Sequence, residues 1–422
     1  MSTLSVSEGT APIGQPGWTG GQYSLIRVLF GAYLTAHFGM LALGGGVLGD
    51  PAPALTQDPL LRIFPNIFAL WDAPGFVNAI LIGAVCASLA ITFGWQRRVA
   101  ALYLGYVAAC LFLRDPMSSA RSLPYLILLH AAVPLAPFGA WTARGRSDPG
   151  NGWRMPLQLF QVAWILMSIG YTHAGVTKLT GVQADAWIDG SALAQLLASP
   201  IARELPSELL LRLPELVLRI ATWSTVGMQL AFVLLALSAR TRRIAWTWLL
   251  LTHVCALLLT RSADLPLALI ALHLFTFDPR WFRARVASEP EFVLYDGDCG
   301  LCHHTVRFVI AEDSHGRAFR FATQSGETFQ RLIPADQRAD LPDAIVVVRS
   351  DGVLLLRSDS IVHILHGLGG LWSALGSLLS WIPRPLRDTG YDLVARVRKR
   401  IFAAPDAACP LMPADLQTRF SD

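Results

Sequence analysis

Glu291-Phe-Val-Leu-Tyr295-Asp-Gly-Asp-Cys299-Gly-Leu-Cys302-His-His-Thr-Val306-Arg-Phe-Val309-Ile310 is the stretch on which the fold turns. Its first five residues form a short apolar run ended by Asp296-Gly297-Asp298, which reads as a strand and a turn. Val306, Val309 and Ile310 then recur at helical spacing on one face. The C-x-x-C of Cys299 and Cys302 therefore opens a helix directly after a strand. The free N–H groups and dipole at a helix start favour a thiolate, the reactive form of cysteine.

Working outward, Ala318-Phe-Arg-Phe-Ala322 alternates like a second strand. Ser325 to Ile333 suits a helix with Ser325 near its cap. Ala344-Ile-Val-Val-Val348 and Val353-Leu-Leu-Leu356 flank Arg349-Ser-Asp351-Gly352, a hairpin signal. Ser360 to Leu379 reads as one long helix, ended by Ile382-Pro383. The order β-α-β-α-β-β-α with C-x-x-C opening the first helix is thioredoxin topology, an α/β fold. Cys299 is then expected as the more exposed, attacking sulfur, and Cys302, one turn on, as the resolving one. Asp296 and Asp298 oppose the helix dipole at Cys299, which points to a reducing or moderate redox poise. Thioredoxin-like enzymes also set a cis-proline opposite the thiols, and Pro342 is a candidate, although Leu341-Pro342-Asp343 serves equally as a turn. A zinc site completed by Cys409, His303 or His304 is the alternative, although no second C-x-x-C supplies four ligands. An inert pair is the third reading. Cys86, Cys110 and Cys255 lie singly in apolar runs and read as packing residues.

This part of the chain resembles the DCC family. The residues that carry the likeness are Tyr295-Asp296-Gly297-x-Cys299-x-x-Cys302, Phe319-x-Phe321-Ala322 and Arg357-Ser358-Asp359. Ile382-Pro383-Arg384-Pro385-x-Arg387-Asp388-x-x-Tyr391 and Cys409-Pro410 extend it. The resemblance covers about residues 291–412. It implies a thioredoxin-like thiol-disulfide oxidoreductase with Cys299 and Cys302 as the redox pair. The tail helix, with Arg396, Arg398, Lys399 and Arg400, reads as a contact for an anionic leaflet or as a solvated face.

The rest of the chain is different in kind. The 422 residues are 53% hydrophobic and 15% charged, with a mean hydropathy of +0.45. A soluble chain carries roughly 25% charged residues. Residues 1–285 hold 20 Lys+Arg against 13 Asp+Glu, and residues 286–422 hold 14 against 17. A charge-poor membrane part thus precedes a charge-rich soluble one. No basic stripe with interleaved aromatics is present, which argues against a nucleic-acid partner. Residues 1–22 carry no Lys or Arg, so no cleavable signal peptide is expected.

Segments of about 20 apolar residues suffice to span a bilayer. Eight candidates fall at about 23–43, 76–94, 99–114, 121–139, 156–176, 216–239, 243–260 and 264–279, the third and eighth being short. Short segments holding Arg97 and Arg98; Arg144, Arg146 and Arg154; Arg240, Arg242 and Arg243; and Arg280, Arg283 and Arg285 fall on one side. Arg62, Arg114, Arg121, Lys178, Arg203, Arg212 and Arg261 fall on the other. The positive-inside rule then places both termini in the cytoplasm of an inner or plasma membrane. The expected organisation is a tail at 1–22, a polytopic all-α membrane bundle at 23–280 and a basic linker at 281–290. The α/β domain follows at 291–412, with a tail at 413–422.

Arg27, His37, His130, Gln161, His173, Gln229, His253 and His273 lie in or near apolar stretches, where ionisable groups are costly and often functional. No H-x-x-x-H or E-x-x-H pair occurs in a span, so no metal is expected there. Lys178 is one of two lysines against 32 arginines, and unlike arginine it can act as a base or simply snorkel. Tyr171…Ala174-Gly175-x-x-Lys178-Leu179 followed by Trp187-x-x-Gly190, with Arg27 early in the first span, resembles the HTTM domain. That is the membrane module related to vitamin K-dependent gamma-glutamyl carboxylase, and the likeness covers about residues 20–280. It implies Lys178 as a base. The family's Asn-His-rich segment is replaced here by Ser118-Ser-Ala-Arg121-Ser-Leu-Pro-Tyr125, without the functional histidine.

Three functions follow. The preferred one is a membrane-anchored thiol-disulfide oxidoreductase, with membrane lipid and a cytoplasmic thiol or disulfide as partners and no firm cofactor. The second is a quinone-linked or carboxylase-like membrane enzyme with the thiol domain as its reductant; Lys178, on the opposite face, would need a carrier. The third is a non-catalytic membrane scaffold.

Overall fold

The computed structural model describes residues 18–45, 64–114, 155–313, 316–338, 341, 344–401 and 417–421. The N-terminal region is helical: α1 (Gly20–Leu43), α2 (Pro74–Phe93), α3 (Arg97–Arg114), α4 (Leu157–Thr180), α5 (Glu215–Leu237), α6 (Ala239–Leu259) and α7 (Asp264–Thr276), with short helices between them. Five of these, α1, α2, α4, α5 and α6, are long and apolar enough to cross a membrane. Large apolar side chains such as Ile82, Ile165, Ile169, Leu234 and Leu258 point outward from them, the pattern of a lipid-facing surface.

Two of the expected spans do not meet that standard. The third is α3, whose 18 residues include Arg97, Arg98 and Arg114. The eighth is α7, whose 13 residues reach about 20 Å at 1.5 Å per residue, short of a core of about 30 Å. The fourth, 121–139, lies outside the described residues, as does His130.

Several polar groups inside the bundle have partners on neighbouring helices. The Arg27 guanidinium donates to the Ile91 carbonyl (2.7 Å) and the Thr92 carbonyl (3.0 Å), satisfying the end of α2. His37 Nδ1 and the Tyr33 hydroxyl each lie 2.7 Å from Asp264 Oδ1. Tyr171, His253 and His273 cluster, with the Tyr171 hydroxyl 2.7 Å from His253 Nε2. Gln229 is buried, whereas Gln161 and His173 are exposed on the outer surface.

The C-terminal region is a small sheet packed between helices: β1 (Glu291–Tyr295), α8 (Gly300–Glu312), β2 (Phe319–Thr323), α9 (Glu327–Leu332), β3 (Val346–Val348), β4 (Leu354–Leu356), α10 (Ser358–Leu368), α11 (Gly370–Trp381) and α12 (Arg384–Ile401). The strand order is β2-β1-β3-β4. β1 runs parallel to β2, with Val293 beside Phe321, and antiparallel to β3, with Val293 beside Val347. β3 and β4 form a hairpin with Val347 beside Leu355, closed at Gly352 with φ +81. Alternation explains why both faces are buried: Val293, Phe321 and Val347 point to α8 and α10, while Leu294, Ala322 and Val346 point to α9. Residues 417–421 add to the β2 edge, Phe321 N–H donating to the Arg419 carbonyl (2.9 Å).

One sequence expectation changes here. The single helix over Ser360–Leu379 is two helices, α10 and α11, broken at Gly369 and Gly370, whose φ angles are +72 and +56. Only glycine takes that turn at little cost. The linker packs into the break, and the Gly370 N–H donates to the Phe282 carbonyl (2.7 Å). The helix expected over Ser325–Ile333 is α9, Glu327–Leu332, with Gly326 as its N-cap, and the hydroxyl of the neighbouring Ser325 turns to Thr323 Oγ1 (3.4 Å). Pro342 lies outside the described residues.

The sheet domain sits on one end of the helical region. The buried Glu312 carboxylate accepts hydrogen bonds from the Gly21 N–H (2.9 Å), from the Thr19 hydroxyl and from Trp372 Nε1 (2.5 Å). It therefore caps the first turn of α1, where the helix dipole favours an anion.

Candidate functional site

The site is built where β1 hands over to α8. Asp296 Oδ1 accepts from the Asp298 N–H (2.9 Å), closing the turn that brings the chain into the helix. Cys299 is the residue that caps α8: its sulfur accepts the Cys302 N–H at 3.4 Å. A sulfur in the place of a capping oxygen is a sulfur poised to carry negative charge. His303 Nε2 lies 2.7 Å from the Gly297 carbonyl and braces the same turn.

Cys299 does not have the exposure expected of it. It is 1% exposed, the same as Cys302. The cause is α12, which crosses the start of α8 and lays Arg398 over the pair. The Arg398 side chain is 3% exposed and its Nη2 lies 3.7 Å from Asp296 Oδ2. Its Nη1 lies 3.4 Å from the Cys302 sulfur. Arg398 is thus turned inward to the thiols, not outward to a leaflet, and Asp296 is turned to Arg398. Burial, the hydrogen bond with Cys299 and the proximity of that sulfur's charge push the Cys302 thiol up to about 12, against the pull of Arg398.

What holds α12 in place is a set of charged and hydroxyl groups on α10 and its approach. Asp388 Oδ1 accepts from the Ser358 N–H (3.3 Å) and hydroxyl (2.5 Å). Asp359 pairs with Arg387 at 3.0 Å and with Arg384 at 3.1 Å. The Ile345 N–H donates to the Tyr391 hydroxyl (3.0 Å). These are the Arg-Ser-Asp and Arg-x-x-Arg-Asp-x-x-Tyr residues quoted above, now brought to one interface beside the cysteines. Arg398 stands two turns beyond Tyr391 on the same helix, and that i, i+7 spacing is the one sequence signal for its placement.

Beside Cys302 lies a cavity of about 450 Å³, walled by apolar side chains from α8, α10, α11 and α12 and bounded by Arg398. Among the described residues no group of three or more His, Cys, Asp or Glu side chains could hold a metal ion. Cys409 lies outside the described residues.

Lys178 is not part of this site. It lies in the last turn of α4, under the Trp187 ring at 5.0 Å. Met155, just before the other end of α4, bonds to Trp18 beside the Glu312 contact, and the 24-residue helix spans about 36 Å between the two ends.

The family profile of the DCC1-like thiol-disulfide oxidoreductases matches residues 293–404, from β1 through α12. The uncharacterized protein YuxK of Bacillus subtilis is 30% identical over 132 residues, which is 30% of this chain and 91% of that protein. This chain belongs to the DCC1-like family. A chloroplastic DCC family protein of Arabidopsis thaliana is 29% identical over 116 residues, 27% of this chain and 66% of that protein. No solved structure matches. The DCC1-like match takes in both cysteines and Arg398, and lies wholly outside residues 20–280. The HTTM resemblance gains no support from these comparisons.

Proposed function

We propose that the chain is a membrane-anchored thiol-disulfide oxidoreductase in which Cys299 and Cys302 cycle between dithiol and disulfide. The observation that carries this is the capping of α8 by the Cys299 sulfur, with Cys302 one turn inward and held protonated. The sheet order β2-β1-β3-β4 with the thiols opening the first helix supports a thioredoxin-like fold. The family match supports redox chemistry.

In the cycle, the Cys299 thiolate attacks one sulfur of a substrate disulfide. That S–S bond breaks, a mixed disulfide forms, and the first substrate thiol leaves with a proton. Cys302 then loses its proton and attacks the Cys299 sulfur, releasing the second substrate thiol. Two electrons pass from the cysteine pair to the substrate, and a cytoplasmic dithiol restores the pair by the reverse exchange. Arg398 favours the Cys302 thiolate at the second step. The five apolar helices serve as the anchor, and the short arginine-rich segments argue that the thiol domain and both termini are cytoplasmic.

The test is trapping. Cys302→Ser should accumulate a mixed disulfide through Cys299 when given a disulfide substrate, and Cys299→Ser should form none. A Cys299→Ser protein that still reduces the substrate overturns the assignment.

A further inference from the structure

α11 and α12 carry an apolar surface that the folded chain leaves uncovered. Along α11, Leu371, Ala374 and Leu375 pack against the core of the helical bundle. Leu378 and Trp381 continue that same face at i+3 and i+4 spacing, and Ile382 follows. There the bundle ends: Trp381 is 84% exposed, and Leu378 and Ile382 are open as well. Along α12, Leu386, Leu393 and Val397 form an exposed stripe, and Leu386 is 65% exposed. A solvated face of so charged a helix should be polar. This one is apolar.

The charge around the stripe has a sign. Residues 384–401 hold six Lys and Arg against two Asp, in a domain that is acidic as a whole. Arg396 is exposed beside the stripe, while Arg384 is held by Asp359 and Asp388. Basic residues flanking Trp and Leu on an amphipathic helix are the composition of an interfacial helix on anionic lipid. Tryptophan in particular favours the level of the headgroups.

We propose that Leu378, Trp381, Ile382, Leu386, Leu393 and Val397 seat the thiol domain on the headgroup–acyl boundary of an anionic bilayer. The inference rests on the membrane anchoring proposed above: the α11 face that covers the end of the bundle runs on past its edge, where lipid surrounds a bundle that spans the bilayer. Ile382 and Leu386 also wall the cavity beside Cys302. That cavity therefore opens at the membrane surface, and an apolar disulfide or thiol dissolved in the lipid reaches the pair without crossing water.

The experiment uses the full-length protein in vesicles of phosphatidylcholine and phosphatidylglycerol, with a trace of a phospholipid bearing a photoactivatable diazirine. Lipid adducts are mapped by mass spectrometry. Adducts are expected on residues 378–397 as well as along the five apolar helices, and the yield on 378–397 should fall several-fold in vesicles of phosphatidylcholine alone. The double variant Leu393→Ser, Val397→Ser changes exposed positions outside the cavity wall. It should lose the 378–397 adducts and keep those on the helices. Labelled helices with unlabelled 378–397 overturn the seat while leaving the anchor intact, and assign the stripe to a protein partner. No label on the helices overturns the anchor itself, and the seat with it. The readout does not depend on thiol chemistry, so the oxidoreductase assignment stands or falls separately.

Discussion

The Arg398 guanidinium lies 3.4 Å from the sulfur of Cys302, a residue 96 positions earlier in the chain. The contact puts a permanent cation where a thiolate must form, and it also closes the thiols from solvent. Arg398→Gln removes the cation, so thiolate at the pair becomes less favourable and the disulfide relatively more so. The pH profile of thiol alkylation should move upward by about one unit, and the pair should become more reducing. Arg398→Lys should restore part of both shifts. Equilibration against glutathione at several pH values reads both quantities, and a merely structural Arg398 leaves the profile in place.

Asp388 holds the helix that carries Arg398. Asp388→Ala leaves the Ser358 N–H and hydroxyl without their acceptor, at a cost of about 1–3 kcal/mol. Helix α12 should then open more often. Cys299 and Cys302 should react faster with a small neutral alkylating agent at unchanged pH, and unfolding should occur at lower temperature. Alkylation kinetics followed by mass spectrometry check this, and an unchanged rate means that α12 does not gate the thiols.

Burial of Cys302 also leaves a mark on stability. Its thiol is held up to about 12 in the fold, against an ordinary value of 9.0. The folded chain therefore keeps a proton that the unfolded chain releases. The contribution is fully present below the ordinary value and is lost as pH rises through the window between the two. The reduced wild type should lose stability over that window more steeply than Cys302→Ala. Parallel slopes in thermal melts of the two proteins contradict the burial of the thiol.

The strand–turn–helix at 291–312 was legible because each step has a local cause: an apolar run, an Asp-Gly turn and helical spacing of Val306, Val309 and Ile310. The hairpin around Gly352 was legible for the same reason. The break at Gly369–Gly370 was hidden, because apolar spacing continues through it and the linker residue Phe282 that receives the Gly370 N–H is remote in sequence. The exposure of Cys299 was misjudged for a related cause. Its cover comes from Arg398, and no local pattern ties that arginine to the thiols. In the bundle, Arg27 invited a functional reading, and its partners, the carbonyls that end α2, are a matter of tertiary packing.

That break supplies a further prediction. A Cβ at Gly369 would stand 2.8 Å from the Ala284 nitrogen, at a φ of +72. Gly369→Ala should destabilise the chain by about 1–2 kcal/mol from the left-handed backbone alone, with the clash adding to it. Because α11 packs on the bundle, protease sensitivity should rise in the linker at 283–290. Limited proteolysis with and without the substitution checks this, and an unchanged cleavage pattern shows that the break does not hold the linker.

The central claim is that Cys299 and Cys302 form a reversible redox pair. It is tested most directly by equilibrating the full-length protein in glutathione buffers of graded potential and mapping its disulfides and metal content. The account predicts one two-electron transition, with a single disulfide joining Cys299 to Cys302 and re-reduced on return, while Cys86, Cys110 and Cys255 remain thiols. The absence of that disulfide at every potential, or tightly bound zinc released by Cys299→Ser, contradicts it.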